Sequence, residues 1–98
     1  MTHMRIAVYQ ITSGTAQEVA DRARDGLLPI FRQQPGFIAY EGVGAGADTV
    51  ISVSAWQSAV QAEASARQAA DWVRQHLADR VRLLDSYVGD VLFSSRAP

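Results

Sequence analysis

The sequence predicts an α+β domain of the ferredoxin-like type, with the element order β-α-β-β-α-β and two helices on one face of an antiparallel sheet. Residues 16–33 and 59–77 repeat apolar side chains about every four positions, which indicates two amphipathic helices. Short alternating segments flank both helices. Right-handed crossovers then make the first and third strands the central pair. The 98 residues are enough for one domain, so residues 1–98 are interpreted as a single unit.

The first strand and the first helix have clear local signals. Residues 4–11 alternate between two faces, which is typical of a strand. Thr15 and Glu18 have the spacing of a capping box, which predicts that a helix begins immediately after Thr15. The periodic pattern extends this helix over residues 16–33. Because Pro29 removes a backbone donor inside that window, we expect a kink or a break there.

The rest of the chain predicts three further strands and the second helix. Residues 37–43 and 49–57 form a hairpin, and residues 59–77 form an Ala-rich helix. Residues 78–84 are expected to be a helical turn or a loop. Residues 87–94 form the last strand, and the chain ends in a loose tail from Ser95 to Pro98.

Composition and charge exclude several classes of function. The net charge is −1 and the nine basic residues, all Arg, are scattered, so nucleic-acid binding is disfavoured. The chain has no Cys, which excludes disulfides and thiolate chemistry. No apolar run is long enough to cross a membrane, and the N-terminus lacks the layout of a signal peptide. We therefore expect a cytoplasmic protein without a membrane partner.

Side-chain chemistry suggests which sheet face the helices cover. Aliphatic residues favour the helix-covered face, and they are Ile6, Val8, Ile51, Val53 and Ala55. By elimination the open face carries three amphipathic aromatic residues and two hydroxyls, namely Tyr9, Tyr40, Trp56, Ser52 and Ser54. Such a mixture is suited to a small-molecule cavity that is mostly apolar with a few polar groups. The alternative is that these five residues only fill the core of a dimer.

Three segments carry a resemblance to a known family. They are the stretch GLLPIFRQQPGF at residues 26–37, Ser-Ala-Trp at residues 54–56, and Ala-Asp-Trp-Val at residues 70–73. In this order and spacing they resemble the antibiotic biosynthesis monooxygenase family of dimeric α/β barrels, over roughly residues 5–93. The resemblance implies a homodimer in which the open sheet faces of two copies pair.

What the resemblance implies for chemistry depends on Trp56. In the heme-degrading branch of the family, a Trp at this place acts with a His on the following helix and an Asn on the first strand. Residues 62–67 contain no His and the chain contains no Asn, so heme cleavage is not implied. The quinone-forming branch also tends to use an Asn and a Trp, and only the Trp is present. We expect no bound cofactor, and the catalytic residues stay unassigned.

Three functions remain open on this resemblance. The first is a cofactor-independent monooxygenase that oxidises a small aromatic or polyketide-like substrate with O₂. The second is a non-catalytic ligand-binding or assembly module of the same fold. The third is a cofactor-free isomerase, decarboxylase or cyclase. A small aromatic ligand found in the cavity would favour the first and third over an assembly module, and oxygen consumption would separate the first from the third.

The remaining polar residues can be explained by simple structural roles. His76 follows Trp72 by one helical turn, and near a helix C-terminus it is better explained as a surface or capping group than as an acid or base. Glu41 and Asp90 interrupt apolar strands, either as buried bases or as solvent-facing groups. His3 and His76 do not have the spacing of metal ligands, so no metal site is predicted.

Overall fold

The computed structural model describes residues 2–95, which form the six elements in the predicted order. The elements are β1 (His3–Ile11), α1 (Ala16–Arg32), β2 (Phe37–Ala45), β3 (Thr49–Trp56), α2 (Ala59–His76) and β4 (Val81–Asp90). The sheet order is β2-β3-β1-β4 and every neighbouring pair is antiparallel. The predicted ferredoxin-like fold and its central β1–β3 pair are therefore confirmed. No helix in residues 2–95 is long and apolar enough to cross a membrane.

The first helix begins as its capping signal predicts and is not broken by its proline. Thr15 Oγ1 accepts a hydrogen bond from the backbone N–H of Glu18 at 3.1 Å. The Glu18 carboxylate pairs across the domain with Arg80 at 3.2 Å. The helix continues through Pro29 to Arg32, so the expected break is wrong. Pro29 is exposed, and water can satisfy the carbonyl that loses its partner one turn earlier.

The last strand begins earlier in the chain than the sequence suggests. The prediction placed a turn or loop at residues 78–84 and the strand at 87–94, whereas β4 spans Val81–Asp90. A tight turn ends α2, because the N–H groups of Arg80 and Val81 both donate to the carbonyl of Leu77. The pairing of β4 with β1 then shifts by one residue at Leu84. Such a bulge breaks the alternation that sequence patterns depend on. Of the expected tail at 95–98, residues 96–98 lie outside the described residues.

The expected assignment of the two sheet faces is wrong. The side chains buried beneath the helices are Arg5, Ala7, Tyr9, Ser52, Ser54 and Trp56. The aliphatic residues lie on the opposite, open face, where Ile6 pairs with Val53 and Val8 with Ile51; Ala55 shares that face by alternation. The helices themselves supply the bulk of the core through residues such as Leu27 and Phe31. The sheet adds Trp56 and Tyr9 to this core and can also contribute polar groups to the covered side.

Candidate functional site

A cavity of about 260 Å³ lies between the sheet and the two helices, near the middle of β1 and β3. Three strands supply four of its polar groups, which are Arg5, Tyr9, Tyr40 and Ser52, and α1 adds Gln17, Asp21 and Arg24. The helices and Leu77, which immediately follows α2, supply most of its apolar wall; the helical residues include Val19, Ala23, Leu27, Trp72 and Val73. A mostly apolar pocket with a few convergent polar groups is the usual form of a small-molecule site.

Arg5 is the only buried ionised residue among the described residues that line this cavity. It is 2% exposed, and its Nη1 donates to Ser52 Oγ at 3.3 Å while Nη2 donates to Tyr9 Oη at 3.1 Å. Its Nε is buried and has no hydrogen-bond partner. No carboxylate oxygen in the described part of the chain lies within 4.0 Å of this guanidinium. A buried arginine is normally paired, so this one has charge and donors to offer a ligand.

Tyr40 stands beside this cation and is held in its neutral form. Burial raises the pKa of the Tyr40 phenol, although a hydrogen bond with Ser52 and the positive charge of Arg5 partly oppose the shift. The raised pKa keeps the phenol protonated near neutral pH. Tyr40 is therefore a hydrogen-bond donor at the cavity wall.

Two of the five predicted ligand residues lie outside the cavity wall. Trp56 is 0% exposed, and its indole packs edge to face against Phe31 at 5.2 Å and Phe37 at 5.4 Å between ring centroids. Its Nε1 donates to Ser54 Oγ at 2.9 Å. Phe31 contacts Tyr40 in turn, with the ring centroids 5.0 Å apart. Trp56 and Ser54 thus support the wall from behind, whereas Tyr9, Tyr40 and Ser52 form part of it.

The second tryptophan, Trp72, lines the cavity and was not selected from the sequence. Its indole occupies the space above Gly26 of α1, where an added Cβ would lie 2.5 Å from Trp72 Cζ2. The buried residues of α2 include Ser65 and Trp72, so Trp72 lies on the core face of this helix. His76 is exposed and its ring stacks beside Trp72, with the centroids 4.9 Å apart. A glycine inside an amphipathic helix was the available signal for this close approach.

The other acidic candidates lie away from the cavity. Glu41 is exposed on β2, and Asp90 pairs with His3 at 2.5 Å. The carboxylate that does reach the lining is Asp21, which pairs with Arg24 at 3.4 Å. Within residues 2–95 no three His, Cys, Asp or Glu side chains are grouped as a metal site requires.

Comparison with known proteins gives one family and several similar structures. Residues 2–78 match the family model described as antibiotic biosynthesis monooxygenase. A search of curated proteins finds no match. The fold is similar to SnoaB from Streptomyces nogalater, a cofactor-independent oxygenase, with a TM-score of 0.69 and 11% identity over 99% of this chain and 95% of that one.

Two further solved structures share the fold. MupZ from Pseudomonas fluorescens gives a TM-score of 0.72 and 13% identity over 89% of this chain and 69% of MupZ. A protein of unknown function from Nitrosomonas europaea gives a TM-score of 0.73 and 20% identity over 100% of this chain and 96% of that chain. At these identities the likeness concerns the fold, and the chemistry has to be argued from the residues of this chain.

Proposed function

Because the chain belongs to the antibiotic biosynthesis monooxygenase family, we propose that it is a cofactor-independent monooxygenase acting on a small aromatic or polyketide-like substrate. The observation that supports this most is the buried Arg5, which has neutral hydroxyls as partners and faces a mostly apolar cavity. Oxygenation without a cofactor needs a substrate that is ionised and electron-rich. A fixed cation inside an apolar cavity stabilises such an anion strongly.

In this proposal the protein favours the ionised substrate and excludes water. Arg5 pairs with the enolate or phenolate oxygen, and Tyr40 donates a hydrogen bond to it. The electron-rich anion transfers one electron to O₂, and the resulting radical and superoxide combine to form a C–O bond. The proton lost on ionisation returns to the peroxide. Loss of water from this hydroperoxide leaves a carbonyl, so a CH₂ group and O₂ give C=O and H₂O.

We assign no general base within the described lining. Asp21 is the carboxylate there, and its ion pair with Arg24 lies on the exposed surface of α1. The substrate can instead lose its proton to water in solution, and Arg5 then binds the anion selectively. The rate should therefore follow the ionisation of the substrate.

Oxygen uptake tests this proposal directly. A panel of phenols and dihydroquinones is assayed with an oxygen electrode, and product mass is measured after reaction under ¹⁸O₂. We expect uptake that matches product formation, one labelled oxygen in the product, and loss of activity in Arg5→Met. Arg67→Met, an exposed arginine on α2, is the matched control and should retain activity. Turnover without oxygen uptake would support the isomerase or cyclase, and binding without turnover would support the ligand-binding module.

We also propose that two copies pair through their open sheet faces. The support is a continuous apolar surface opposite the helices, made of Ile6, Val8, Val43, Ile51, Val53 and Tyr87. Beyond β4, Leu92 and Phe93 are 89% and 92% exposed. Exposed apolar surface of this extent usually marks an interface, and a specific one buries at least about 1,000 Å². Light scattering should give twice the 10.6 kDa monomer mass, and Val53→Asp should yield monomers.

A further inference from the structure

We infer that the cavity ligand is a planar aromatic monoanion of one or two fused rings, with its charged oxygen on Arg5 and its ring against Trp72. This inference rests on the site of the proposed function and narrows its substrate class. It requires no oxygen chemistry, so binding alone can test it. Three properties of the cavity support it independently, namely its charge, its size and its aromatic wall.

The charge of the cavity calls for one anionic group. A guanidinium has five N–H donors, and two of those of Arg5 are used, on Ser52 and Tyr9. Three donors therefore remain for a ligand, including the buried Nε. Both protein acceptors are neutral, so a neutral ligand would leave a buried charge without compensation. Arg24, the other cation of the described lining, is already paired with Asp21 and Asp25 at the surface, which leaves a single charge to be matched.

The size of the cavity limits the number of rings. An apolar cavity of about 150 Å³ binds benzene. The cavity here is about 260 Å³, which is less than twice that volume. It therefore covers one substituted ring or two fused rings, whereas the third ring of a linear three-ring system would lie outside it.

The wall formed by Trp72 favours a flat ligand. Trp72 is 8% exposed, and the His76 ring lies 4.9 Å away at an interplanar angle of 32°. Gly26 contacts the indole on the α1 side, since an added Cβ there would lie only 2.5 Å from it. The indole is thus held in one orientation by neighbours on two elements. A fixed aromatic face stacks on a planar ring without losing side-chain freedom on binding.

The experiment is calorimetric titration under argon with benzoate, naphthoate, anthroate, ionised nitrophenol and neutral naphthamide. We expect naphthoate to bind at least tenfold more tightly than naphthamide, which has the same rings without the charge. Anthroate should bind at least tenfold more weakly than naphthoate. Comparing the carboxylates with the nitrophenolate tells whether Arg5 prefers a carboxylate or an ionised hydroxyl, and tight binding of either supports the inference.

Two variants then test whether Arg5 recognises the charge of the ligand and whether Trp72 recognises its rings. Arg5→Met should remove the preference for naphthoate over naphthamide, while Trp72→Leu should weaken both several-fold and keep the preference. Arg67→Met should behave as the unchanged protein does. If Arg5→Met does not fold, the wild-type comparison of naphthoate with naphthamide decides the matter alone.

The inference and the proposed function fail in different ways. Equal binding of naphthoate and naphthamide, equal binding of anthroate and naphthoate, or no binding by any aromatic anion would overturn the inference. Oxygen uptake with a neutral polycyclic substrate that Arg5→Met leaves unchanged would also overturn it, although the oxygenase function would stand. Tight binding of naphthoate by a protein that consumes no oxygen with any ionised substrate would support the inference and contradict the oxygenase.

Discussion

The space between the sheet and the helices has a filled end and a hollow end, and the two differ in how their polar atoms are satisfied. At the filled end, Trp56 packs against two phenylalanines and its N–H donates to Ser54. At the hollow end, Arg5 keeps a buried N–H without a partner, beside a cavity. Each end contains a tryptophan and a serine. Composition therefore does not separate packing from recognition here, whereas the unpaired buried N–H of Arg5 beside the cavity does.

This difference suggests that the two ends of the core have different roles, one in stability and the other in ligand binding. The filled end contributes close packing and no spare donor, so its residues should act mainly on stability. The hollow end keeps a charge in an apolar setting, which costs stability and is useful only when a ligand is bound. Substitutions at the two ends should accordingly move stability and ligand affinity in different combinations.

The largest effect should come from Trp56 at the filled end. Trp56→Ala removes a fully buried indole and should lower the free energy of unfolding by about 3–5 kcal/mol. Urea denaturation followed by circular dichroism measures this change. Val60→Ala, at a position that is 74% exposed on α2, is the control and should change stability by less than about 0.5 kcal/mol.

The milder Trp56→Phe separates stability from recognition. It should lower the melting temperature and leave the affinity for naphthoate within about twofold, which is close to 0.4 kcal/mol. A large loss of affinity at unchanged melting temperature would show that Trp56 contacts the ligand, which would contradict the division between the two ends.

Gly26 at the hollow end should give the next largest effect. In an exposed helix, Gly→Ala usually stabilises by up to about 1 kcal/mol. Here the new methyl would press on the Trp72 indole at 2.5 Å, and overpacking costs about 1–3 kcal/mol. We therefore expect Gly26→Ala to destabilise by about 1 kcal/mol, measured by urea denaturation.

A second substitution checks the cause of that loss. Adding Trp72→Phe to Gly26→Ala shortens the ring that meets the methyl, so the two changes together should cost less than their sum. Gly44→Ala is the control, because a Cβ at that position meets no atom within 4 Å. Strict additivity of Gly26→Ala and Trp72→Phe would mean that the indole is not what the methyl meets.

Arg5→Met should raise stability slightly while it abolishes recognition of anions. Methionine has a similar length and no charge, and replacing uncompensated buried charge by apolar atoms is often neutral or stabilising. We expect a gain of about 1 kcal/mol in the free energy of unfolding, reduced by the loss of two hydrogen bonds to neutral hydroxyls. Calorimetry of the ligand-free protein measures it. A loss above about 1 kcal/mol would indicate that Arg5 is structural, since functional arginines that lack a partner are not expected to stabilise the fold.

The smallest effect concerns pH and Tyr40. Burial raises the pKa of this phenol above its ordinary value of 10.0, so the folded protein holds the proton more tightly than the unfolded chain does. The stabilisation is therefore complete below pH 10.0 and is lost as the pH rises through the pKa of the folded state. Tyr40→Phe should make the decline in stability above that pH less steep. Urea denaturation of both proteins between neutral and alkaline pH measures this decline, with the neutral values as the baseline. Equal slopes of unfolding free energy against pH would contradict the prediction.

Local signals in the sequence predicted the elements of this fold and missed the surroundings of its key residues. Thr15 begins α1 because the capping bond involves neighbours three residues apart. The start of β4 was missed because the extra residue at Leu84 shifts the pairing with a strand more than seventy positions away. The prediction interchanged the two sheet faces because both carry apolar residues. Which face the helices cover depends on tertiary packing, which the sequence pattern does not contain.

At the site, the surroundings of Arg5 and Trp72 likewise could not be predicted from local sequence signals. An arginine near the start of a strand has the pattern of an exposed residue. Its burial depends on Ser52 and Tyr40 from two other strands and on the helices above them. The position of Trp72 depends on the missing side chain of Gly26, 46 residues earlier in the chain. Tyr9, Tyr40 and Ser52 were selected together because their chemistry is suited to a cavity, although the face they occupy had to come from the structure.

The chain has two indoles, and their different surroundings give the protein a built-in optical reporter. Trp56 is sealed among aromatic rings, so its emission should be blue-shifted and insensitive to solutes. Trp72 adjoins both the cavity and the His76 imidazole, so its emission should respond to whatever enters. In Trp56→Phe, the remaining fluorescence would follow occupancy of the cavity alone. The protein could then be screened against chemical libraries without label or enzyme assay.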